Sequence, residues 1–245
     1  MRPTRVMLVI GGNRGIGAAI ARLAASRGYA VAITYASNAA PAEDVVAAIE
    51  EAGGTAAAFR CDVAEEEDIL RLFEDAAVLG QLSAMVYSSG ITGDASPLAD
   101  ARARTLRDVV AVNLTGAMLC AREAARHMST GRGGQGGSIT FVSSRAADRG
   151  SAGEYVWYAA SKGGVNSLSL GLAREVAGEG IRVNCVSPGP VATEMLSPER
   201  QAKGAAAVAM GRVADPAEIA EAVLYMASDQ ASYVTGANLA VAGGA

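Results

Sequence analysis

The chain has 245 residues, of which 51% are hydrophobic and 19% charged. That content suits one well-filled α/β domain and argues against a disordered or two-domain chain. A formal charge of −4 argues against a basic nucleic-acid footprint. In chain order, Arg5–Ile10 reads as a buried strand. Gly15–Arg27 reads as a helix with Ile16, Ile20, Leu23 and Ala24 on one face. Ala30–Tyr35 is a second strand, and Pro41–Ala52 a second helix closed by Gly53-Gly54. Thr55–Cys61 is a third strand, and Glu65–Leu79 a third helix with acids in its first turn. Gln81–Ser88 is the fourth strand, followed by one long helical stretch from about Arg102 to Met128. Gly131–Gly137 reads as a flexible connection, because a strand follows it rather than a helix. Gly137–Ser143 is the fifth strand, Glu154–Ala177 a long helix and Ile181–Val186 the sixth strand. Thr193–Arg212 lacks a strand pattern and reads as a mobile lid. Asp215-Pro216-Ala217-Glu218 resembles a capping box opening a helix to about Ser228, and Asn238–Val241 is the last strand.

Strand and helix in regular alternation predict an α/β fold. It is a single doubly wound Rossmann domain, with a seven-stranded parallel sheet and helices on both faces. Ligands in such sheets sit at the carboxyl ends of the strands, near the switch in strand order. His127 is the only histidine, which disfavours a Ser-His-Asp hydrolase and a histidine metal site. Cys61, Cys120 and Cys185 lie far apart in apolar stretches and read as buried free thiols. The apolar run Val6–Ile10 is too short for a signal segment, and no run is long enough to span a membrane. A cytoplasmic protein is therefore the expectation.

Two motifs carry chemistry. Gly11-Gly12-Asn13-Arg14-Gly15-Ile16-Gly17 follows a strand and opens a helix. Glycines there let the backbone approach a pyrophosphate, and the helix start offers free N–H groups. Tyr158 and Lys162 stand four apart, on one face of a helix. A tyrosine working as an acid or base near neutrality must drop about three pH units below its ordinary value. A fixed ammonium nearby favours that drop. Seven tyrosines and two lysines would give only roughly 0.06 such pairs by chance.

With these motifs the chain resembles the short-chain dehydrogenase/reductase family in its compact form, over essentially its whole length. Within the family's T-G-x-x-x-G-x-G pattern, Gly11, Gly15 and Gly17 match and Ile10 replaces the threonine. The resemblance implies adenine contacts at Asp62 and Val63, and a close cofactor passage at Ser89 and Gly90. It implies contacts to the nicotinamide carboxamide from Pro188, Gly189, Val191 and Thr193. Tyr233-Val234-Thr235-Gly236 is family-like as well. Asn113, Ser144, Tyr158 and Lys162 match the catalytic tetrad, with Ser144 standing 14 residues before Tyr158. In the implied mechanism Tyr158 moves the proton and Ser144 orients the carbonyl oxygen. Lys162 binds ribose hydroxyls and lowers the Tyr158 pKa, Asn113 holds a relay water, and no metal takes part.

One element departs from the pattern. Tyr87-Ser88-Ser89-Gly90 stands where the family usually has Asn-Asn-Ala-Gly, so the asparagine that braces the sheet is missing. No acid ends the second strand, while Arg14, Ser37 and Asn38 could hold a 2′-phosphate, so NADP(H) is favoured over NAD(H). The expected substrate is a small carbonyl or alcohol, by resemblance to 3-oxoacyl-carrier-protein reductases and glucose dehydrogenase-like members. A carrier protein would need a basic patch, for which Arg132, Arg145, Arg149 and Arg200 are the candidates. Trp157 reads either as a pocket wall or as a core or interface residue. Sugar or alcohol dehydrogenases of the same family, and a non-catalytic dinucleotide sensor, are the competing readings. An enoyl reductase would space its tyrosine and lysine further apart. The resemblance also implies a homotetramer packed through the long helices and the last strand.

Overall fold

Apolar, β-branched runs become parallel strands here because helices cover both faces of the sheet. The computed structural model describes residues 4–245. The strands are β1 (Arg5–Ile10), β2 (Ala30–Tyr35), β3 (Thr55–Arg60), β4 (Gln81–Tyr87), β5 (Gly137–Val142), β6 (Ile181–Pro188) and β7 (Asn238–Val241). They form one parallel sheet, as the alternation predicts, and its strand order is β3-β2-β1-β4-β5-β6-β7. The order reverses between β1 and β4, so the crevice for a ligand opens there.

Side chains alternate across the sheet. Val6, Leu8 and Ile10 face one layer and Met7 and Val9 the other. The first layer holds α3 (Glu66–Ala76), α5 (Gly116–Met128) and α7 (Val156–Val176). The second holds α1 (Gly15–Ser26), α2 (Ala40–Glu51) and α9 (Pro216–Ala227). Asp215 and Glu218 form the expected capping box at the start of α9. The three cysteines are buried and free. No helix among the described residues is long and apolar enough to cross a membrane.

Three local expectations change. The stretch from Arg102 to Met128 is not one helix. It divides into α4 (Ala103–Val110) and α5, joined by a π-helical turn at Ala111–Thr115. The turn forms because its polar groups are claimed from outside the helix. The Tyr87 hydroxyl donates to the Val112 carbonyl at 2.5 Å, and Asn113 is bound to Ile91. Gly116 lets the turn close, since a Cβ there would lie 2.7 Å from the Val63 carbonyl and 2.8 Å from the Tyr87 hydroxyl. Tyr87 is therefore a substitute brace, and the loss of the usual asparagine leaves no gap.

Gly131–Gly137 is an ordered connection at the amino-terminal edge of the sheet. Gly134 and Gly136 donate to the Ser129 and Met128 carbonyls, both at 2.8 Å. Segment 193–212 contains a helix, α8 (Pro198–Ala206), started by the Ser197 side chain. A short α6 (Ala146–Arg149) precedes α7.

Replacing Tyr87 by phenylalanine keeps the ring and leaves a buried carbonyl unpaired. We expect Tyr87→Phe to lower the unfolding free energy by about 1–3 kcal/mol in denaturant titration. An unchanged midpoint would show that the brace does not carry the π turn.

Candidate active site

The carboxyl ends of β1, β4, β5 and β6 converge where the strand order reverses. β1 delivers the glycine loop. Gly11 has φ of +76°, its N–H donates to the Thr34 hydroxyl at 2.9 Å, and a Cβ on it would lie 2.7 Å from Ser89 Oγ. A Cβ on Gly17 would fall 2.0 Å from the Gly11 carbonyl oxygen. No larger residue fits at either place. The loop thus presses against the segment after β4 and exposes the start of α1, whose first turn carries no acid. This backbone cradle has the form that a pyrophosphate needs.

Asn13 is half-buried on the loop and Ile16 packs against the second core layer. Arg14 is exposed and points across the crevice to Glu194, 3.6 Å away. The Thr193 methyl lies 3.3 Å from where a Gly15 Cβ would sit, so segment 193–212 begins directly over the glycine loop. A cleft of about 500 Å³ lies between Gly15 and residues 192–201. Ser37 and Asn38 are exposed just after β2, and the Asn38 side chain accepts from Ala40 N–H. Asp62 follows β3 and accepts from Ala64 N–H, while Val63 is buried. Pro188 ends β6, and Gly189 fits where a Cβ would lie 3.0 Å from Ala242 Cα. Val191 turns its side chain into the core and gives its carbonyl to Thr193 N–H at 2.9 Å.

The four tetrad positions gather beside this cradle. Lys162 is buried, and its ammonium donates to the Val142 carbonyl at 2.8 Å. A Cβ on Gly90 would stand 3.4 Å from Lys162 Nζ and 3.5 Å from Asn113 Oδ1. Asn113 accepts from Ile91 N–H and donates to the Ile91 carbonyl and to Ser161 Oγ. Both its amide hydrogens are thus committed. The side chain is a brace between the segment after β4 and α7. Ser144 and Tyr158 are both half-buried. Burial pushes the Tyr158 phenol up, and the hydrogen bond with Ser144 works in the opposite sense. The expected lowering by Lys162 is not the dominant effect. Its ammonium is directed at Val142 and lies 5.8 Å from the Tyr158 ring centroid.

Other expectations resolve clearly. Trp157 is buried and donates its indole N–H to the Thr92 carbonyl at 2.7 Å, so it braces the segment after β4. Arg145 pairs with Asp148, Arg200 pairs with Glu154, and Arg132 lies at the opposite edge of the sheet. These arginines do not assemble into a basic patch. The Tyr233–Gly236 segment latches onto β6, where the Thr235 hydroxyl accepts from Val183 N–H at 3.0 Å.

Burial drops the Lys162 pKa from 10.5 to about 8. Between those values the unfolded chain holds a proton that the folded chain has released, so stability rises with pH across that window. Lys162→Met removes a buried charge. At pH 7 it should raise the unfolding free energy by about 2–3 kcal/mol and flatten the rise above pH 8, read by denaturant titration at pH 7, 8 and 9. A loss of stability at pH 7 would contradict the buried-charge account.

A family model described as enoyl-(acyl carrier protein) reductase matches residues 10–245. The chain is 41% identical to a cis-4-hydroxycyclohexanecarboxylate dehydrogenase of Sinomonas cyclohexanicum, covering 98% of this chain and 96% of the relative. It is 38% identical to the human 3-oxoacyl-[acyl-carrier-protein] reductase, covering 98% and 97%. Among solved structures, a short-chain dehydrogenase/reductase from Serratia marcescens superposes with a TM-score of 0.90 at 36% identity, covering 98% and 97%. A blue fluorescent protein from a metagenomic library, in complex with NADPH, does so with a TM-score of 0.90 at 33% identity and the same coverage. With its parallel sheet, its glycine cradle and these relatives, the chain belongs to the short-chain dehydrogenase/reductase family, oxidoreductases acting on CH–OH or carbonyl groups.

Proposed function

We propose that this chain transfers hydride between NADP(H) and a small ketone or secondary alcohol, with Tyr158 as its proton donor or acceptor. One observation carries the reading: the Tyr158 ring, with the buried Lys162 ammonium 5.8 Å from its centroid, stands next to a cradle shaped for a dinucleotide. When bound, the nicotinamide supplies or accepts the hydride.

Gly11, Gly15 and Gly17 would hold the pyrophosphate at the start of α1. Asn13 and Ile16 complete that loop. Asp62 and Val63 would meet the adenine, and Ser89 and Gly90 leave room for the cofactor to pass. Pro188, Gly189, Val191 and Thr193 would border the nicotinamide, and Lys162 the ribose hydroxyls. Ser144 holds the carbonyl oxygen beside the phenol. In the reductive direction Tyr158 gives its phenolic proton to the carbonyl oxygen. Asn113 fixes the wall that confines Lys162. Asn113 would also hold the water that relays protons to Lys162.

Arg14 supports NADP(H) over NAD(H), with Ser37 and Asn38 at the end of β2, where no acid stands. Its pair with Glu194 is exposed on both sides and therefore weak, so a 2′-phosphate can displace it. The unassembled basic patch favours a small free substrate over a carrier-bound one. The similarity to a hydroxycyclohexanecarboxylate dehydrogenase supports an alcohol dehydrogenase as the second reading. The four-residue spacing of Tyr158 and Lys162 speaks against enoyl reduction, and the intact tetrad against a non-catalytic sensor.

Segment 193–212 serves as the substrate lid of one dinucleotide-binding domain, in a cytoplasmic homotetramer. Exposed apolar Val110, Met118 and Leu170 on α4, α5 and α7 support the assembly. Light scattering should give a mass of four chains, and a single-chain mass would refute it.

The deciding experiment follows NADPH and NADH consumption against a 3-oxoacyl thioester, simple diketones, aldehydes and keto-sugars. Turnover that Tyr158→Phe lowers by about 10²–10⁴-fold would support the reading. Arg14→Ala should weaken NADPH binding about tenfold and leave NADH binding unchanged. Cofactor binding without turnover on any substrate would favour the sensor.

A further inference from the structure

α8 carries no fully buried residue, and its apolar contact is the close approach of Gly204 to Pro190. Its tie to the residues before α7 is polar, and the main one is Arg200. One guanidinium nitrogen donates to Glu154 Oε2 at 2.6 Å, and another donates to the Tyr155 hydroxyl. The guanidinium carbon lies 4.8 Å from the centroid of the Tyr155 ring. Lys203, one turn further on, reaches the other oxygen of the same carboxylate at 3.5 Å.

The partners of Arg200 are the residues that lead into α7, and Tyr155 stands three places before Tyr158. The Tyr155 ring meets Trp157 edge to face at 6.2 Å, and Trp157 is bonded to Thr92 in the segment after β4. One contact chain therefore joins α8 to both segments that border the tetrad. Arg200 and Glu154 are only 38% and 44% exposed, which separates this tie from a free surface pair. A planar guanidinium can serve a carboxylate, a phenol and an aromatic face at once, and a lysine cannot.

We infer that Arg200 is a positioning residue: it holds the lid helix against Glu154 and Tyr155 and so sets the affinity for the carbonyl substrate. This rests on the readings of Tyr158 as proton donor and of segment 193–212 as a lid. Chemistry stays with Ser144, Tyr158 and Lys162. The cofactor cradle lies at the other end of the segment, at Gly15 and Arg14.

The test uses the full chain and whichever of 2,3-butanedione or an acetoacetyl thioester the wild type reduces. Arg200→Ala should raise KM for that carbonyl about three- to tenfold, lower kcat by no more than twofold and leave the Kd of NADPH unchanged. Arg200→Lys keeps the charge and loses the stacking, so it should recover part of the KM. Arg200→Ala with Glu154→Gln should be no worse than Arg200→Ala alone. A second readout needs no substrate. Trypsin should nick after Lys203 several times faster in Arg200→Ala than in the wild type, with the product identified by mass.

An unchanged KM, effects that multiply in the double variant, or an unchanged nicking rate would each overturn the inference. If the wild type reduces neither these two nor any aldehyde or keto-sugar, the reductase reading fails, and the nicking comparison still decides whether Arg200 holds α8.

Discussion

Lys162 carries its amine into a site that solvent hardly reaches, and the surrounding groups are arranged to tolerate it. Burial lowers its pKa, and a strand-end carbonyl accepts a hydrogen bond from it. Gly90 leaves the space that the amine needs, and Asn113 stands on the far side of that space. The Ser143 hydroxyl donates to the Lys162 carbonyl at 3.3 Å and ties α7 to the end of β5. A buried amine of this kind costs stability, and a site that must bind an anionic, hydroxyl-rich ligand gains from holding it.

The π turn before α5 is the second consequence of building that site. An unbroken helix would keep its backbone groups to itself. Here Tyr87 takes the Val112 carbonyl from below and Asn113 takes both backbone groups of Ile91 from the side. The extra residue of the turn allows both claims at once, as such turns commonly do at functional sites. Tyr87 also shows how a departure from a family pattern is absorbed. A larger side chain reaches the neighbouring element directly, and Gly116 gives it room.

Segment 193–212 is anchored at two charged contacts. Arg14–Glu194 lies over the glycine loop, and Arg200–Glu154 lies over the approach to α7. The first is exposed and easily exchanged. The second is partly enclosed and stacked on an aromatic ring. Further along the segment Val208 is buried and Met210 N–H donates to the Gly243 carbonyl at 3.0 Å, so its far end is seated on the core. The β6 side of the sheet is built differently. Arg182 donates to four carbonyls, those of Met226, Ala227, Ser228 and Val234, and so closes the carboxyl end of α9.

The strands, the helices against the sheet, the glycine loop and the Tyr158–Lys162 pair were legible in the sequence. Each is a local pattern: a run of apolar residues, a capping box, glycines between a strand and a helix, two residues one turn apart. Asn113 and Ser144 were legible only through resemblance, because a lone asparagine or serine has no local signature. The π turn, the brace at Tyr87, the Arg182 cage and the Arg200 clamp were not legible. Their partners lie 22 to 52 residues away along the chain, and no periodicity records such a distance. The direction in which the Tyr158 pKa moves was not legible for the same reason. It depends on burial and on where the ammonium points, and both are decided when the sheet and α7 come together. The order of residues determined which elements form and which chemistry they carry; tertiary packing decided which of those groups meet, because side-chain contact and desolvation depend on distance in space and not on distance along the chain.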